Sequence, residues 1–434
     1  MKRESLNTLI KWKESDSRKP LIIRGARQVG KTWLMKEFGR TEYAQTVYLN
    51  FEKNKRLKNL FSDGFDIQRI LISIQAETGI KIKADNTLLI FDEIQSVPEA
   101  ITSLKYFTED APQYHIIAAG SLLGVAIQSN VSFPVGKVTF LDLHPLTFNE
   151  FLNATGDNSL NEILESGDWK LIHLFRTKFI ERLRHYYYIG GMPEVVDAFS
   201  VNQDFTEART LQNNILQAFE QDFSKHAPHS IIPRIRMLWT SIPAQLAKEN
   251  RKFIYGIIRE GARAREYELA LTWLADCRQL YTVHRVSKPA MPLKAYEDRN
   301  AFKIFLVDVG LLGALCEIDA RTLLDGNTLF TEFKGAFTEQ YVFQQLFSSG
   351  EFVINYWNSE NSTSEVDFVI QHSGRVVAVE VKAEENLQAK SLKVFHEKFN
   401  PAMAIRTSMS DYRKSGWLVN IPLYAIGKLG NYLS

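Results

Sequence analysis

The stretch LIIRGARQVGKTWLMKEFG, residues 21–39, leaves this chain little choice of fold. Leu21 to Arg24 reads as a short buried strand. Gly25, Ala26, Arg27, Gln28, Val29, Gly30, Lys31 and Thr32 then match G-x-x-x-x-G-K-[ST] in full, and Trp33 to Phe38 favours helix, ending at Gly39. Strand, loop and helix in this order make a P-loop. The glycines let the backbone curl so that its N–H groups face phosphates. The helix N-terminus adds the positive end of a dipole. In that geometry Lys31 reaches the β- and γ-phosphates of ATP and Thr32 ligates Mg²⁺. A Gly-containing turn with an exposed lysine would account for the spacing, but not for the strand and helix around it.

NTLLIFDEIQSVPEA supplies the partner. Leu88 to Phe91 is a continuous apolar run, as expected of a strand buried on both faces, and it ends in Asp92-Glu93. After a P-loop, this acidic pair is a Walker B site. Asp92 is expected to hold Mg²⁺ and Glu93 to orient and polarise the attacking water. A glutamate there favours hydrolysis, which makes a small-molecule phosphotransferase the weakest reading. Further strand-like runs at 46–52, 114–121 and 136–143, separated by helical stretches, predict a parallel sheet with helices on both faces. Ser121, at the end of one run, is a candidate γ-phosphate sensor or an N-cap for the next helix.

With 434 residues the chain exceeds one ordinary core, so two or three domains are expected. Its 45% hydrophobic and 24% charged residues are those of a soluble globular protein. A net charge of +2 means that any nucleic-acid surface must be a local patch. Cys277 and Cys316 make neither a disulfide framework nor a zinc site, which fits a reducing cytoplasm. The start MKRESLNTLIKWKESD lacks the apolar core of a signal peptide. No apolar run approaches the length that spans a bilayer, so no membrane partner is expected.

In YYYIGGMPEVVDAF (186–199), Gly190-Gly191-Met192-Pro193 cannot be regular helix interior. From about 232 to 310 the chain reads as helices followed by a hairpin, which suggests a winged helix. Its surroundings carry a local excess of arginine and lysine, including Arg263 and Arg265, compatible with phosphate-backbone contacts. A packing module is the plainer alternative. The last third reads as a helix (331–350), three strands around a Ser373-Gly374 turn, a further helix and a further strand. Asp367 lies on the second strand, Glu380-Val381-Lys382 on the third, and Glu339 on the first helix. This is the core order of PD-(D/E)xK nucleases. Alternation puts Glu380 and Lys382 on one face, and Asp367 can face them across the strand pair. Asp367, Glu380 and the Val381 carbonyl then make an oxygen site suited to Mg²⁺, able to activate water. Lys382 would hold that water or the developing charge, Glu339 could complete the metal shell, and Lys390 could contact a phosphate. A half-exposed strand has the same alternation, and an E-x-K triplet alone carries little.

Taken together, RGARQVGKTWL, FDEIQSVPEAITSLKYF, HIIAAGSLLG, SFPVGKVTFLDLHPLTFNEFL and YIGGMPEVV resemble a family of prokaryotic AAA-type ATPases that join a P-loop domain to a C-terminal domain of unknown function 4143. The resemblance implies an α/β chain: a P-loop NTPase parallel sheet with a helical lid, a winged-helix-like middle domain and a C-terminal α/β restriction-endonuclease-like domain. The expected boundaries are 1–155, 156–230, 231–325 and 326–434. It also implies that Pro193, in a Gly-x-Pro segment of the lid, lies near the adenine. Many relatives carry Arg where this chain has Lys137, and a lysine offers a point charge rather than a planar fork. The expected function is ATP hydrolysis coupled to a C-terminal module that binds, and in one reading cuts, DNA or RNA. In the other reading that module is catalytically silent and the chain is an ATP-dependent switch or scaffold. Relatives of this type often assemble with copies of themselves, so a homo-oligomer is one expected partner arrangement.

Overall fold

The computed structural model describes residues 2–53, 56–62, 64–120, 133–246, 252–320, 331–359, 364–385 and 389–433. Ser121 and Arg251 lie outside them. The chain forms two compact units. One is Arg3–His144 together with Asp276–Arg278; the other holds Pro145–Ala275 and Gln279–Ser434.

The first unit is built on a parallel sheet of β1 (Leu21–Arg24), β2 (Gln45–Asn50), β3 (Thr87–Asp92), β4 (His115–Ala119) and β5 (Thr139–Asp142), in the order β2-β3-β4-β1-β5. Strands β3 and β4 are buried at every residue, which is why they read as unbroken apolar runs. The helix after the P-loop spans Lys31–Glu42 and does not stop at Gly39. A Cβ on Gly39 would lie 2.5 Å from Thr46 Oγ1. The glycine there serves close helix–strand packing and not termination. Because β1 and β3 run parallel, the P-loop and Asp92-Glu93 emerge at the same sheet edge, where open α/β sheets bind ligands.

The second unit begins with helices and ends in a mixed eight-stranded sheet. Its strands are β6 (Leu280–Val286), β7 (Glu297–Leu306), β8 (Val353–Asn358), β9 (Glu365–His372), β10 (Arg375–Val381), β11 (Ala404–Ser408), β12 (Arg413–Ser415) and β13 (Leu418–Pro422). They lie in the order β12-β13-β11-β10-β9-β8-β6-β7. Helix Thr331–Ser348, the antiparallel meander β8-β9-β10, helix Lys390–Phe399 and the parallel strand β11 follow the element order read from the sequence. Ser373 (φ 45°) and Gly374 (φ 78°) form the two-residue turn between β9 and β10, as primed hairpin turns require. Over 232–306 the order is helix Ile232–Leu246, a bridge between Lys252 and Lys303, helices Tyr255–Ile258 and Ala264–Asp276, then the β6–β7 hairpin. This hairpin is not a free wing: β6 pairs with β8 at Arg285 and Tyr356, so it extends the C-terminal sheet. An uncovered strand edge leaves donors and acceptors to be satisfied, and the Arg285–Tyr356 pair joins the two edges at one point.

A buried polar spine runs through this unit. Asp308 is fully buried and accepts from Gly191 N (2.6 Å), Leu311 N (3.0 Å) and Gln344 Nε2 (3.0 Å). Gln340, Gln344 and Gln345 on helix Thr331–Ser348 also hold the backbones of Leu306, Val309 and Phe148. Tyr186 donates to Leu146 O and packs edge-on against Phe148, Phe151 and Tyr341.

Candidate functional site

At the P-loop, Gln28 (φ 66°) and Gly30 (φ 91°) both take positive φ. This bends the chain into a concavity lined by N–H groups. A Cβ on Gly25 would overlap the Leu143 carbonyl, so only glycine fits there. Lys31 folds across the loop and donates to Gly25 O (3.0 Å) and Ala26 O (2.7 Å). Burial pushes its pKa down to about 8, against the pull of Glu93 and Asp92. Thr32 Oγ1 donates to Asp92 Oδ2 at 2.8 Å, and Tyr48 OH donates to the same oxygen at 2.7 Å. A hydroxyl and a carboxylate oxygen converging beside the phosphate cradle fit the oxygen ligands of Mg²⁺. Glu93 stands next to them in the left-handed region (φ 52°), a conformation rare for a non-glycine and frequent at functional sites. Gln95 Nε2 donates to its Oε2 at 2.6 Å.

Tyr48 and Gln95 were not read from the sequence. The strand run TVYLNFE held a signal for Tyr48, since alternation puts Thr46, Tyr48 and Asn50 on one face. Lys137 is engaged in an ion pair with Glu109 at 2.8 Å, so it is not held out as a finger. Ser121 falls outside the described residues. Pro193 is the first residue of helix Pro193–Asn202 in the second unit, and the P-loop belongs to the first. The loop before it has a packing role that the expected adenine contact did not foresee. A Cβ on Gly190 would overlap the Asp308 carboxylate, and one on Gly191 would overlap Leu146 O.

The C-terminal residues form a second candidate site. Phe368 pairs with Val379, which brings the neighbouring Asp367 and Glu380 to the same end of the strand pair. Val381 N donates to Asp367 Oδ2 at 2.7 Å. Lys382 Nζ lies 2.8 Å from Glu380 Oε1. Glu380 is 3% exposed, and its Oε2 is buried without a hydrogen-bond partner. Burial pushes the Glu380 carboxyl up, while the hydrogen bond from Lys382 pulls it back. Glu339, expected to complete the metal shell, is engaged in an ion pair. Lys303, 1% exposed, lies 2.8 Å from Glu339 and 2.5 Å from Glu365. Phe343, one turn after Glu339, stacks on Phe305, which contacts Phe368. Among the described residues no group of three or more His, Cys, Asp or Glu side chains is placed to hold a metal ion.

Comparison with known proteins gives three domain matches. The chain carries an AAA domain over residues 17–152 and a domain of unknown function, DUF4143, over 334–426. Residues 180–322 match another domain of unknown function, DUF8612, and this match runs across the expected boundary at 230/231. No curated protein matches the chain. Among solved structures it is similar to the Walker-type ATPase PABY2304 of Pyrococcus abyssi, at 16% identity, with 72% of this chain and 95% of that one covered and a TM-score of 0.44. It is also similar to the Aeropyrum pernix ORC1 protein in complex with DNA, at 12% identity, 72% and 90% coverage and a TM-score of 0.27. A third is Cdc6p from Pyrobaculum aerophilum, at 11% identity, 74% and 93% coverage and a TM-score of 0.25. The AAA match and the P-loop geometry make residues 17–152 an AAA-type ATPase domain. No helix among the described residues is long and apolar enough to cross a membrane.

Proposed function

We propose that this chain binds and hydrolyses ATP at the P-loop and uses its C-terminal domain to engage nucleic acid. The convergence of Thr32 and Tyr48 on Asp92 Oδ2, with Glu93 adjoining, carries the ATPase part. Gly25 to Thr32 cradle the phosphates, and Lys31 leaves the Gly25 and Ala26 carbonyls for the β- and γ-oxygens. Thr32 and Asp92 would hold Mg²⁺, which when bound neutralises charge on the phosphates. Glu93 exchanges Gln95 for the attacking water, orients it and takes its proton. Within the second unit we infer a helical lid, a winged-helix-like segment over 231–325 and a PD-(D/E)xK-like module over 326–434.

Asp367 and Glu380 at the same end of the strand pair, with Lys382 beside Glu380, support the nuclease-like reading. A divalent cation fits the open Oε2 of Glu380 beside Asp367. Lys303's hold on Glu339 favours the second reading, in which the module binds nucleic acid without cutting it. One experiment separates the two: incubate DNA and RNA with Mg²⁺ or Mn²⁺, with and without ATP, for wild type and Asp367→Ala. The first reading expects cleavage that the variant loses while it keeps ATP hydrolysis. Absence of cleavage under every condition leaves the binding module as the surviving reading.

Helix Ala264–Asp276 begins beside exposed Arg263 and Arg265. Reversing both charges in Arg263→Glu/Arg265→Glu is expected to abolish salt-sensitive retention on DNA. Unchanged retention at low salt would remove this element from the interface.

A further inference from the structure

The row of side chains through the C-terminal site does not end at Glu380. Strand β11 runs parallel to β10 with Arg406 paired to Glu380, and β13 continues the row with Asn420 paired to Arg406. Cross-strand partners project to the same face, roughly 5 Å apart. Glu380, Arg406 and Asn420 therefore stand in line across three strands, and Asp367 joins the end of the row by accepting from Val381 N. Arg406 is 5% exposed, and its Nε donates to Asn420 Oδ1 at 2.9 Å. Ser408 Oγ donates to that same oxygen at 2.9 Å, and Asn420 Nδ2 is tied to the carbonyls of Ser410 and Asp411. The guanidinium is thus held by a residue that is itself held on both sides. A buried arginine is unfavourable unless a negative group needs it.

The row is balanced in charge. Asp367 and Glu380 supply two negative charges, and Lys382 and Arg406 two positive ones. Two carboxylates are too few to complete the shell of a hard divalent cation, which in such sites is finished by phosphate oxygens. The buried, unpartnered Glu380 Oε2 marks where the cation would enter. When it does, both basic side chains lose their claim on the carboxylates.

We propose that Arg406 is a further recognition residue of this site, neutralising Glu380 while no metal is bound and turning to a phosphodiester when a divalent cation takes its place. The inference rests on the nuclease-like reading and holds whether or not cleavage follows. It makes metal and phosphodiester binding mutually reinforcing, by equal factors in the two directions.

The test is Mn²⁺ binding by electron paramagnetic resonance on the full chain without nucleotide, alone and with a short DNA duplex, with Asp367→Asn subtracted as background. In wild type the duplex is expected to tighten Asp367-dependent Mn²⁺ binding about tenfold. Arg406→Gln should tighten binding of Mn²⁺ alone by about the same factor and erase most of the gain from DNA. Arg406→Lys keeps the charge but not the planar fork, so Mn²⁺ alone should bind as in wild type while the gain from DNA falls. If Arg406→Gln does not fold, the lysine variant decides by itself. Wild-type values in both variants overturn the role of Arg406. Absence of any Asp367-dependent Mn²⁺ binding in wild type, with or without DNA, overturns the nuclease-like reading beneath it.

Discussion

Glu93→Gln binds ATP as wild type does and hydrolyses it about 10²- to 10⁴-fold more slowly. The substitution keeps the size of the side chain and its ability to accept from Gln95, but removes the group that can take a proton from water. The nucleotide's own ligands are untouched: the phosphate cradle is backbone from Gly25 to Thr32, and the Thr32–Asp92 contact does not involve Glu93. Lys31→Ala, run beside it, should lose nucleotide binding and turnover together. Its ammonium is folded into the loop and bonded to the Gly25 and Ala26 carbonyls. Single-turnover hydrolysis, paired with equilibrium binding of a fluorescent ATP analogue, distinguishes the two patterns. Wild-type turnover by Glu93→Gln would remove Glu93 from the chemistry and leave its strained backbone to be explained by the turn into residues 94–96 alone.

These ATPase residues were legible because the signals are local. A P-loop is eight consecutive residues, and a Walker B pair is the end of one apolar strand. The strand β1 was read at its observed bounds, and β2 to β5 within a few residues; β3 and β4, buried at every residue, leave runs with no polar interruption, while β2 and β5 are partly exposed. What depends on partners distant in sequence was not legible. The sequence said that Gly190-Gly191 could not be helix interior. It could not say that the reason is Asp308, whose carboxylate reaches Gly191 N across 117 positions of chain. Helical periodicity put Glu339 on a helix, but spacing along a helix does not tell which side chain from elsewhere in the chain will meet it. Lys303 captures Glu339 from a strand that was read as the wing of another domain. That wing could be read as a hairpin from its two apolar runs. Its lateral pairing with β8 depends on a single bridge at Arg285 and Tyr356, for which no residue pattern exists. Arg406 was passed over for a similar reason: MAIRTS looked like a plain strand, and only the register beside Glu380 gives its arginine a meaning.

The same long-range logic sets the largest stability effect expected in the second unit. Asp308→Ala should destabilise it by about 3–5 kcal/mol, since several buried donors lose their acceptor at about 1–3 kcal/mol each. The carboxylate accepts from Gly191 N, Leu311 N and Gln344 Nε2, and alanine leaves all three donors without their acceptor in a place water does not reach. Each such donor carries its own desolvation cost. Burial pushes the Asp308 carboxyl up, and these hydrogen bonds oppose that shift. Asp308→Asn is informative because it preserves the shape but replaces one accepting oxygen by a donor, which must face Gly191 N or Leu311 N. Gly191→Ala attacks the network from the other side, since its Cβ would overlap the Leu146 carbonyl while Leu146 N donates to Gly191 O at 2.7 Å. A backbone hydrogen bond and a side-chain network cannot both survive that methyl group. All three variants should lower the thermal midpoint of the second unit, with Asp308→Ala lowest by about 10 °C. A midpoint within about 2 °C of wild type for Asp308→Ala would mean that water enters and satisfies the donors. Gly191 would still be required by the Leu146 carbonyl, which its Cβ would overlap whatever stands at position 308.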